Sequence, residues 1–397
     1  MKKLNLGVIG FGERARHMAQ TMLRVSPDVA LAAIADPNGK AIRDKLTADS
    51  ESNFAGSARI YDTAGEMLDT EDLDGVIVGT RCSLHATMAL KVMARGIAVF
   101  LEKPIATNMT DLVALRDNAT PKVVISFPLR RSALVKLARE IIDSGRIGSV
   151  EHVQAWCNVP YGAVYYQSWY RDEAETQGMF LQKASHDFDY INYLLTGNRP
   201  RWISAMTSKQ IFKGDHPAGL KCMDCAEKLT CFESPYHPSR PAPLSLDMPA
   251  REMCAFAVDT GNEDSGSALI QYESGMHVSY SQNFYSRNKS ATRGARLIGY
   301  NGAIEFDWFT NALKVTHHQS ALVETHQFDD TGDHGGGDQA LARNFIAVMR
   351  GDEPSLSPLS EGLLNGLMCL KAKHSAETRR FEEVAFPVDA PALAGRL

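Results

Sequence analysis

The chain lacks any block of like charge. Its 42 Lys and Arg against 47 Asp and Glu leave a net charge of -5 spread along 397 residues. No basic footprint for nucleic acid is present, and a small metabolite is the expected partner. Long apolar runs are missing too, and none approaches the roughly 20 residues that a membrane-spanning helix needs. Met1-Lys2-Lys3 is basic, but the apolar stretch behind it stops at Gly10-Phe11-Gly12 with no small-residue cleavage site. It therefore reads as a first strand rather than a secretory leader. Cysteine is scarce, and its seven copies are an odd number. That argues against a disulfide framework and for a reducing, cytoplasmic compartment. Neither an internal repeat nor a low-complexity tract occurs, and 44% hydrophobic with 22% charged residues suits a globular enzyme of one large or two medium domains.

What is present changes texture along the chain. Short apolar runs at Leu4–Ile9, Val29–Ala35, Val76–Gly79, Ala98–Leu101 and Val123–Ser126 alternate with amphipathic stretches such as Ala86–Arg95. That alternation predicts parallel strands joined by crossover helices. Beyond residue 126 a helix is predicted over Ser132–Ser144, stopped by Gly145. Strand-like runs follow at Val150–Val159, Ala255–Asp259, Ser267–Tyr272, Met276–Phe284 and Ala295–Ile298. Asn301-Gly302 predicts a tight hairpin with positive φ at both residues, and the second half reads as mainly antiparallel. A polar, Pro-rich excursion from Lys213 to Pro249 is too long for an ordinary loop.

Gly10-Phe11-Gly12-Glu13-Arg14-Ala15 follows the first strand and opens a helix. Gly10 permits a tight turn, Gly12 lets the backbone approach a pyrophosphate, Ala15 allows close helix packing, and the helix N-terminus faces the anion. Asp36 ends the second strand 24 residues beyond Gly12, where a carboxylate accepts hydrogen bonds from an adenosine ribose and repels a 2′-phosphate. NAD is expected over NADP, with Gly10, Phe11, Gly12, Glu13, Arg14 and Asp36 as cofactor contacts. The fold class expected is α/β: an N-terminal Rossmann domain over residues 1–126, then an α/β domain over 127–397 with a large, mainly antiparallel sheet.

A second motif, Glu102-Lys103-Pro104, closes the strand Val99-Phe100-Leu101, with Thr80-Arg81-Cys82-Ser83-Leu84-His85 upstream. Here the chain resembles the Gfo/Idh/MocA family of sugar and cyclitol oxidoreductases. The resemblance continues through Gly145-Arg146-Ile147-Gly148, through Gly178 to Asp189, and through Gly335-Gly336-Gly337-Asp338. It implies that Thr80, His85, Glu102 and Lys103 lie on the nicotinamide side. Lys103 would stabilise a developing alkoxide, and His186 would accept or relay the proton. Many members carry Asp four residues before that histidine, but this chain has Gln182, and a carboxamide orients a hydroxyl without taking its proton. Lys183 matches a variant branch reading Lys-x-x-His-Asp-x-Asp and is a candidate substrate ligand or second cation. Asp189 is expected to orient the imidazole or to cap a turn, and Asp187 is equally ambiguous.

Aromatics and cations run from Tyr161 through Tyr165-Tyr166-Gln167-Ser168-Trp169-Tyr170-Arg171. The resemblance places such a segment at the substrate pocket, where flat rings suit sugars. Tyr166, Trp169 and Arg171 are the substrate candidates, and Arg130 with Lys183 would suit an anionic substituent. Cys222-x2-Cys225-x5-Cys231 has zinc-knuckle spacing, with His237 or Cys254 as a candidate fourth ligand, so a structural zinc and free thiols in a loop are the two readings of the segment. Two activities remain open. One is a dehydrogenase acting on a sugar, cyclitol or sugar-acid hydroxyl; the other is a redox-neutral, NAD-dependent glycoside hydrolase. A homodimer or homotetramer is expected, because an antiparallel sheet with a spare face commonly buries it against a partner.

Overall fold

The computed structural model describes residues 3–48, 58–239, 252–329 and 333–387. In chain order its elements are β1 (Leu4–Ile9), α1 (Glu13–Val25), β2 (Val29–Ala35), α2 (Gly39–Ala48), β3 (Arg59–Tyr61), α3 (Ala64–Thr70), β4 (Gly75–Val78), α4 (His85–Met93), β5 (Ala98–Leu101), α5 (Met109–Asp117) and β6 (Val123–Ile125). Then come α6 (Ala133–Asp143), β7 (Val150–Asn158), α7 (Val164–Gln167), α8 (Glu173–Thr176), a π-helical turn (Phe180–Ala184), α9 (Ser185–Leu194) and β8 (Pro200–Ser208). The remainder is β9 (Ser265–Tyr272), β10 (His277–Asn283), β11 (Thr292–Gly299), β12 (Gly302–Asp307), β13 (Ala312–His317), β14 (Val323–Gln327), α10 (Gly337–Arg350), α11 (Leu359–Thr378) and β15 (Glu382–Glu383). Among the described residues no helix is long and apolar enough to cross a membrane.

The chain divides into two compact units. The first comprises Met1–Arg131, Gly332–Gly366 and Phe386–Leu397; the second comprises Ser132–Thr331 and Leu367–Ala385. The first unit carries a six-stranded parallel sheet in the order β3-β2-β1-β4-β5-β6. The order reverses between β1 and β4, the point at which such sheets leave a crevice at their carboxyl edge. Leu6, Val8, Ile77 and Phe100 point into a core with Ala15, Met18 and Met22 of α1. Leu341, Ala342 and Phe345 of α10 join that core, and Phe345 meets Phe100 edge to face at 5.6 Å. A Cβ on Gly75 would lie 2.4 Å from the Met349 sulfur, so β4 and α10 approach as closely as glycine allows. The expected boundary of 127–397 therefore differs from the division observed. Helix α10 buries its apolar stripe on the first sheet, although its sequence lies far downstream.

The second unit holds a nine-stranded sheet, β14-β13-β12-β11-β7-β10-β9-β8-β15, antiparallel except where β7 and β10 run parallel. One face carries α9, with Phe188 against Tyr280 at 5.2 Å and Tyr190 against Trp308 at 4.9 Å. The other leaves Met206 74% and Leu269 53% exposed. Helix α6 begins as its sequence predicts, with the Ser132 hydroxyl accepting from Val135 N at 3.4 Å, and ends before Gly145 at φ +74°.

Two local expectations are corrected. Ala255–Asp259 is not a strand but a turn with a single bridge from Ala257 to His216. The hairpin between β11 and β12 forms, yet Asn301 and Gly302 both keep ordinary negative φ, because Ile298 pairs with Ala303 and the loop is wider than two residues. The excursion is entered where the Asp264 carboxylate accepts the N–H groups of Gln210, Ile211 and Phe212 at 2.9, 2.6 and 2.9 Å. Its residues 240–249 lie outside the described residues.

Candidate functional site

In the first unit the chain leaves β1 through Gly10, whose φ of +80° and whose N–H bond to Ala35 O at 2.9 Å turn it sharply beside β2. A Cβ there would sit 2.7 Å from the Thr80 backbone, so glycine is required. At Gly12 the situation is opposite. A Cβ would find nothing nearer than the Gly79 carbonyl at 3.9 Å, which leaves open space directly before the N-terminus of α1. No side chain caps that 13-residue helix. Asp36 closes the other side of the loop. Its Oδ2 accepts from Phe11 N at 2.9 Å and its Oδ1 from Asn38 N at 2.8 Å. An open approach at Gly12, an uncapped helix N-terminus and a carboxylate at the end of β2 fit a dinucleotide: the turn shaped by Gly10 and Phe11 would let the N–H groups at Gly12 and Glu13 hold the pyrophosphate, with Asp36 at the adenosine ribose. Asp36→Ser is expected to weaken discrimination against NADP; an unchanged ratio of NAD to NADP affinities, measured by fluorescence titration, would rule out the ribose contact.

Lys103 stands half-buried at the carboxyl end of β5, and both of its neighbours are anchored. Glu102 is buried and accepts from Arg14 Nε at 3.1 Å. Arg14 in turn grips Asp338 with both Nη atoms, at 2.8 and 2.6 Å, and reaches Ser126 Oγ at 3.1 Å. Burial alone would raise the Asp338 pKa, but Arg14 and His334 outweigh it and hold the carboxyl well below its usual range. On the other side, the His85 ring spans Pro104 O at 2.7 Å and Thr80 O at 3.1 Å. Burial lowers the His85 pKa, and the ring sits between the ends of β4 and β5. The sequence reading grouped Arg14, Thr80, His85 and Glu102 as cofactor contacts. The structure joins them in a frame around Lys103, with the charges of Arg14 and Glu102 spent on each other and on Asp338.

Arg130, expected as a substrate ligand, is buried and ion-paired with Glu361, its guanidinium 5.7 Å from the Phe127 ring. That pairing corrects the expectation, since a committed buried cation has little left to offer an anion.

In the second unit a π-helical turn leads into α9. Such turns insert one extra residue per turn and recur at functional sites. From Gly178 to Ile191 every residue is buried except His186, the one imidazole this helix shows to its surroundings. Lys183 is buried, with its ammonium 2.6 Å from the Tyr161 hydroxyl and 4.9 Å from that ring's centre. Asp187 accepts from Arg293 Nε and from the Tyr280 hydroxyl, both at 2.9 Å. Asp189 is buried in α9.

Several substrate candidates are corrected here. Gln182 is buried and donates to Thr176 O at 3.0 Å, so it fixes the π turn. Tyr166 is 0% exposed, stacks on Phe212 at 4.1 Å and donates to Glu263 O at 2.7 Å, which makes it a core residue. Arg171 is ion-paired with Asp259 and donates to Thr260 Oγ1 at 3.1 Å, tying the segment to the turn that follows the excursion. Trp169 is half-buried and stacks on Tyr170 at 3.9 Å.

The zinc reading gains no support. Among the described residues no group of three or more His, Cys, Asp or Glu is arranged to hold a metal ion. The Cys222 thiol donates to Met253 O at 3.2 Å, burial pushes it up to about 11, and His237 Nδ1 accepts from Ser239 N at 3.1 Å. Cys225, Cys231 and Cys254 are free thiols.

Arg293, Gln282 and Asp338 were not singled out by the sequence as site residues. Each gains its place through pairing or packing with elements more than a hundred residues away, which no local spacing encodes.

Two family descriptions match the chain: an oxidoreductase family with an NAD-binding Rossmann fold over residues 4–127, and the GFO/IDH/MocA C-terminal domain over residues 135–305. YteT of Bacillus subtilis (strain 168), whose name says no more than oxidoreductase, is 27% identical over 324 residues, covering 72% of this chain and 74% of that protein. The scyllo-inositol 2-dehydrogenase (NAD(+)) of the same organism is 24% identical over 204 residues, and the match spans about half of each, 49% and 54%. A levoglucosan dehydrogenase solved with NADH and levoglucosan superposes with a TM-score of 0.74 over 96% of this chain and 100% of that one, at 17% identity, which shows a shared fold. With its cradle at Gly12, its framed lysine and both domain matches, the chain belongs to the GFO/IDH/MocA family of NAD-binding oxidoreductases.

Proposed function

We propose that this protein is an NAD-dependent dehydrogenase acting on a secondary hydroxyl of a sugar, cyclitol or sugar acid. The observation that carries the reading is the position of Lys103, half-buried at the carboxyl edge of the parallel sheet between two neighbours that Arg14 and His85 hold in place. An ammonium so held lowers the cost of removing the proton from an alcohol and stabilises the oxygen as negative charge develops on it. NAD, when bound, supplies the acceptor for the hydrogen leaving carbon. His186 is the second unit's acid–base group, and its imidazole suits proton transfer near neutrality. Relatives that act on inositols and a fold neighbour that binds levoglucosan support a polyhydroxylated ring as the substrate class.

The test is a panel of sugars, cyclitols, sugar acids and aryl glycosides offered with NAD, read by NADH fluorescence and by aglycon release. The proposal predicts NADH in step with alcohol consumed. Aglycon release without net NADH would replace it with redox-neutral glycoside cleavage, which no feature of the site specifically favours.

A further inference from the structure

The second unit contains a buried group of hydrogen-bond donors with too few acceptors. Gln282, Cys157 and Arg293 form one row across β10, β7 and β11, on the sheet face that α9 covers. Gln282 is 2% exposed and Arg293 is 9% exposed, yet Gln282 Nε2 and Arg293 Nη2 have no hydrogen-bond partner. Trp308 Nε1 is also buried without one, and that ring lies 5.9 Å from the Arg293 guanidinium. Lys183, 4% exposed, has the Tyr161 hydroxyl as its one acceptor and forms no ion pair with any described residue.

The charges are unbalanced in the same sense. Lys183 and Arg293 are two cations; Asp187 is already shared between Arg293 Nε and Tyr280, and Asp307, which accepts from the Arg293 backbone N–H and Trp156 Nε1, forms no ion pair with either cation. Burial pushes the Cys157 thiol up to about 12, so it contributes no negative charge near neutrality. Burial works against the Lys183 ammonium, but the hydroxyl oxygens of Tyr161 and Tyr165 outweigh it and keep the group above its ordinary value. One positive charge is left over beside several orphaned donors. Burying a charge without a counter-ion is strongly unfavourable, and water can satisfy donors but cannot neutralise a cation. Arg130, the other cation the sequence offered for this purpose, and Arg171 already have carboxylate partners.

We propose that Tyr161, Lys183 and Arg293 receive a carboxylate of the substrate, so that the preferred substrate is a sugar acid rather than a neutral sugar or cyclitol. This rests on the dehydrogenase reading above and narrows it. One surplus positive charge matches a singly charged carboxylate better than a phosphate monoester, which carries nearly two negative charges. Tyr161, half-buried, forms the outer end of the cluster. Because its oxygen accepts from Lys183, its own proton is free to be donated to an incoming oxygen.

The experiment uses the full chain with NAD and compares glucuronate, galacturonate and gluconate with glucose, galactose and myo-inositol, adding glucose 6-phosphate as the other anion. The expected result is a kcat/KM at least tenfold higher for one acid than for its neutral counterpart. Lys183→Met should cut that acid-to-neutral ratio tenfold or more, and Lys183→Arg should cut it less. Thermal melts confirm that each variant is folded. A neutral or phosphorylated sugar preferred over every acid, or a ratio unmoved by Lys183→Met, overturns the proposal while leaving the dehydrogenase reading intact. If no compound yields NADH, that reading fails, and calorimetric titration decides the subsite alone. Acid binding by the wild type that Lys183→Met loses sustains it, and absence of acid binding overturns it.

Discussion

Replacing Lys103 with alanine is expected to reduce turnover about a hundredfold or more, the usual scale on which a positioned acid–base group acts. NAD affinity should stay near its wild-type value. The reason lies in how the surroundings divide the work. In the proposed binding mode the pyrophosphate rests on backbone at Gly12 and the start of α1 and the ribose on Asp36, none of which depends on the Lys103 side chain. The frame behind it, from Glu102 through Arg14 to Asp338 and from Pro104 to His85, would survive the substitution. Steady-state rates paired with a fluorescence titration of NAD separate the two effects. A variant that turns over at nearly the wild-type rate would remove Lys103 from the chemistry, and one that loses NAD as well would show that its role is structural.

The second large effect concerns stability. Asp187→Ala should destabilise the protein by about 3–5 kcal/mol, because removing one partner of a buried ion pair leaves the other charge uncompensated. Here the consequence is aggravated, since Arg293 would join Lys183 as a second buried cation without a counter-ion, and the Tyr280 hydroxyl would lose its acceptor. For a unit of this size that corresponds to a fall in melting temperature of roughly 10 °C. A fall of only a degree or two would mean that Arg293 finds another anion or solvent, and the charge imbalance described above would no longer hold. Arg171→Ala tests the same physics in a milder setting, because Asp259 is partly exposed and can return to water.

How far the sequence anticipates these features depends on the range of the interactions. Helix α6, from the Ser132 cap to Gly145, is legible because its signals lie within a turn of its ends. So is the crossover pattern of the first sheet, and the pairing of Gly12 with Asp36 is set by one strand–helix–strand unit. The position of Lys103 at the carboxyl end of β5 is legible because its motif directly follows an apolar strand. Tyr166 misleads because an aromatic looks the same whether its ring lines a pocket or fills a core, and only its stacking on Phe212 decides. Arg171 and Arg130 mislead for the related reason that a cation's partner, Asp259 or Glu361, lies far along the chain. The cysteine spacing resembles a metal site, but among the described residues no group of three or more ligating side chains is arranged to hold an ion. Arg293 and Gln282 could not be found at all without the register of β7, β10 and β11. Helix α10 has an ordinary amphipathic pattern, and nothing in it says that it packs on α1 and Phe100 rather than on its neighbours in sequence.

The central claim is that NAD lies along the carboxyl edge of the parallel sheet with its reactive ring beside Lys103. A crystal structure of the protein with NAD tests it most directly. The account predicts pyrophosphate oxygens on the backbone N–H groups at Gly12 and the first turn of α1, the adenosine ribose on the Asp36 carboxylate, and the Lys103 ammonium near nicotinamide C4. Dinucleotide bound elsewhere, or a nicotinamide ring remote from Lys103, would contradict it.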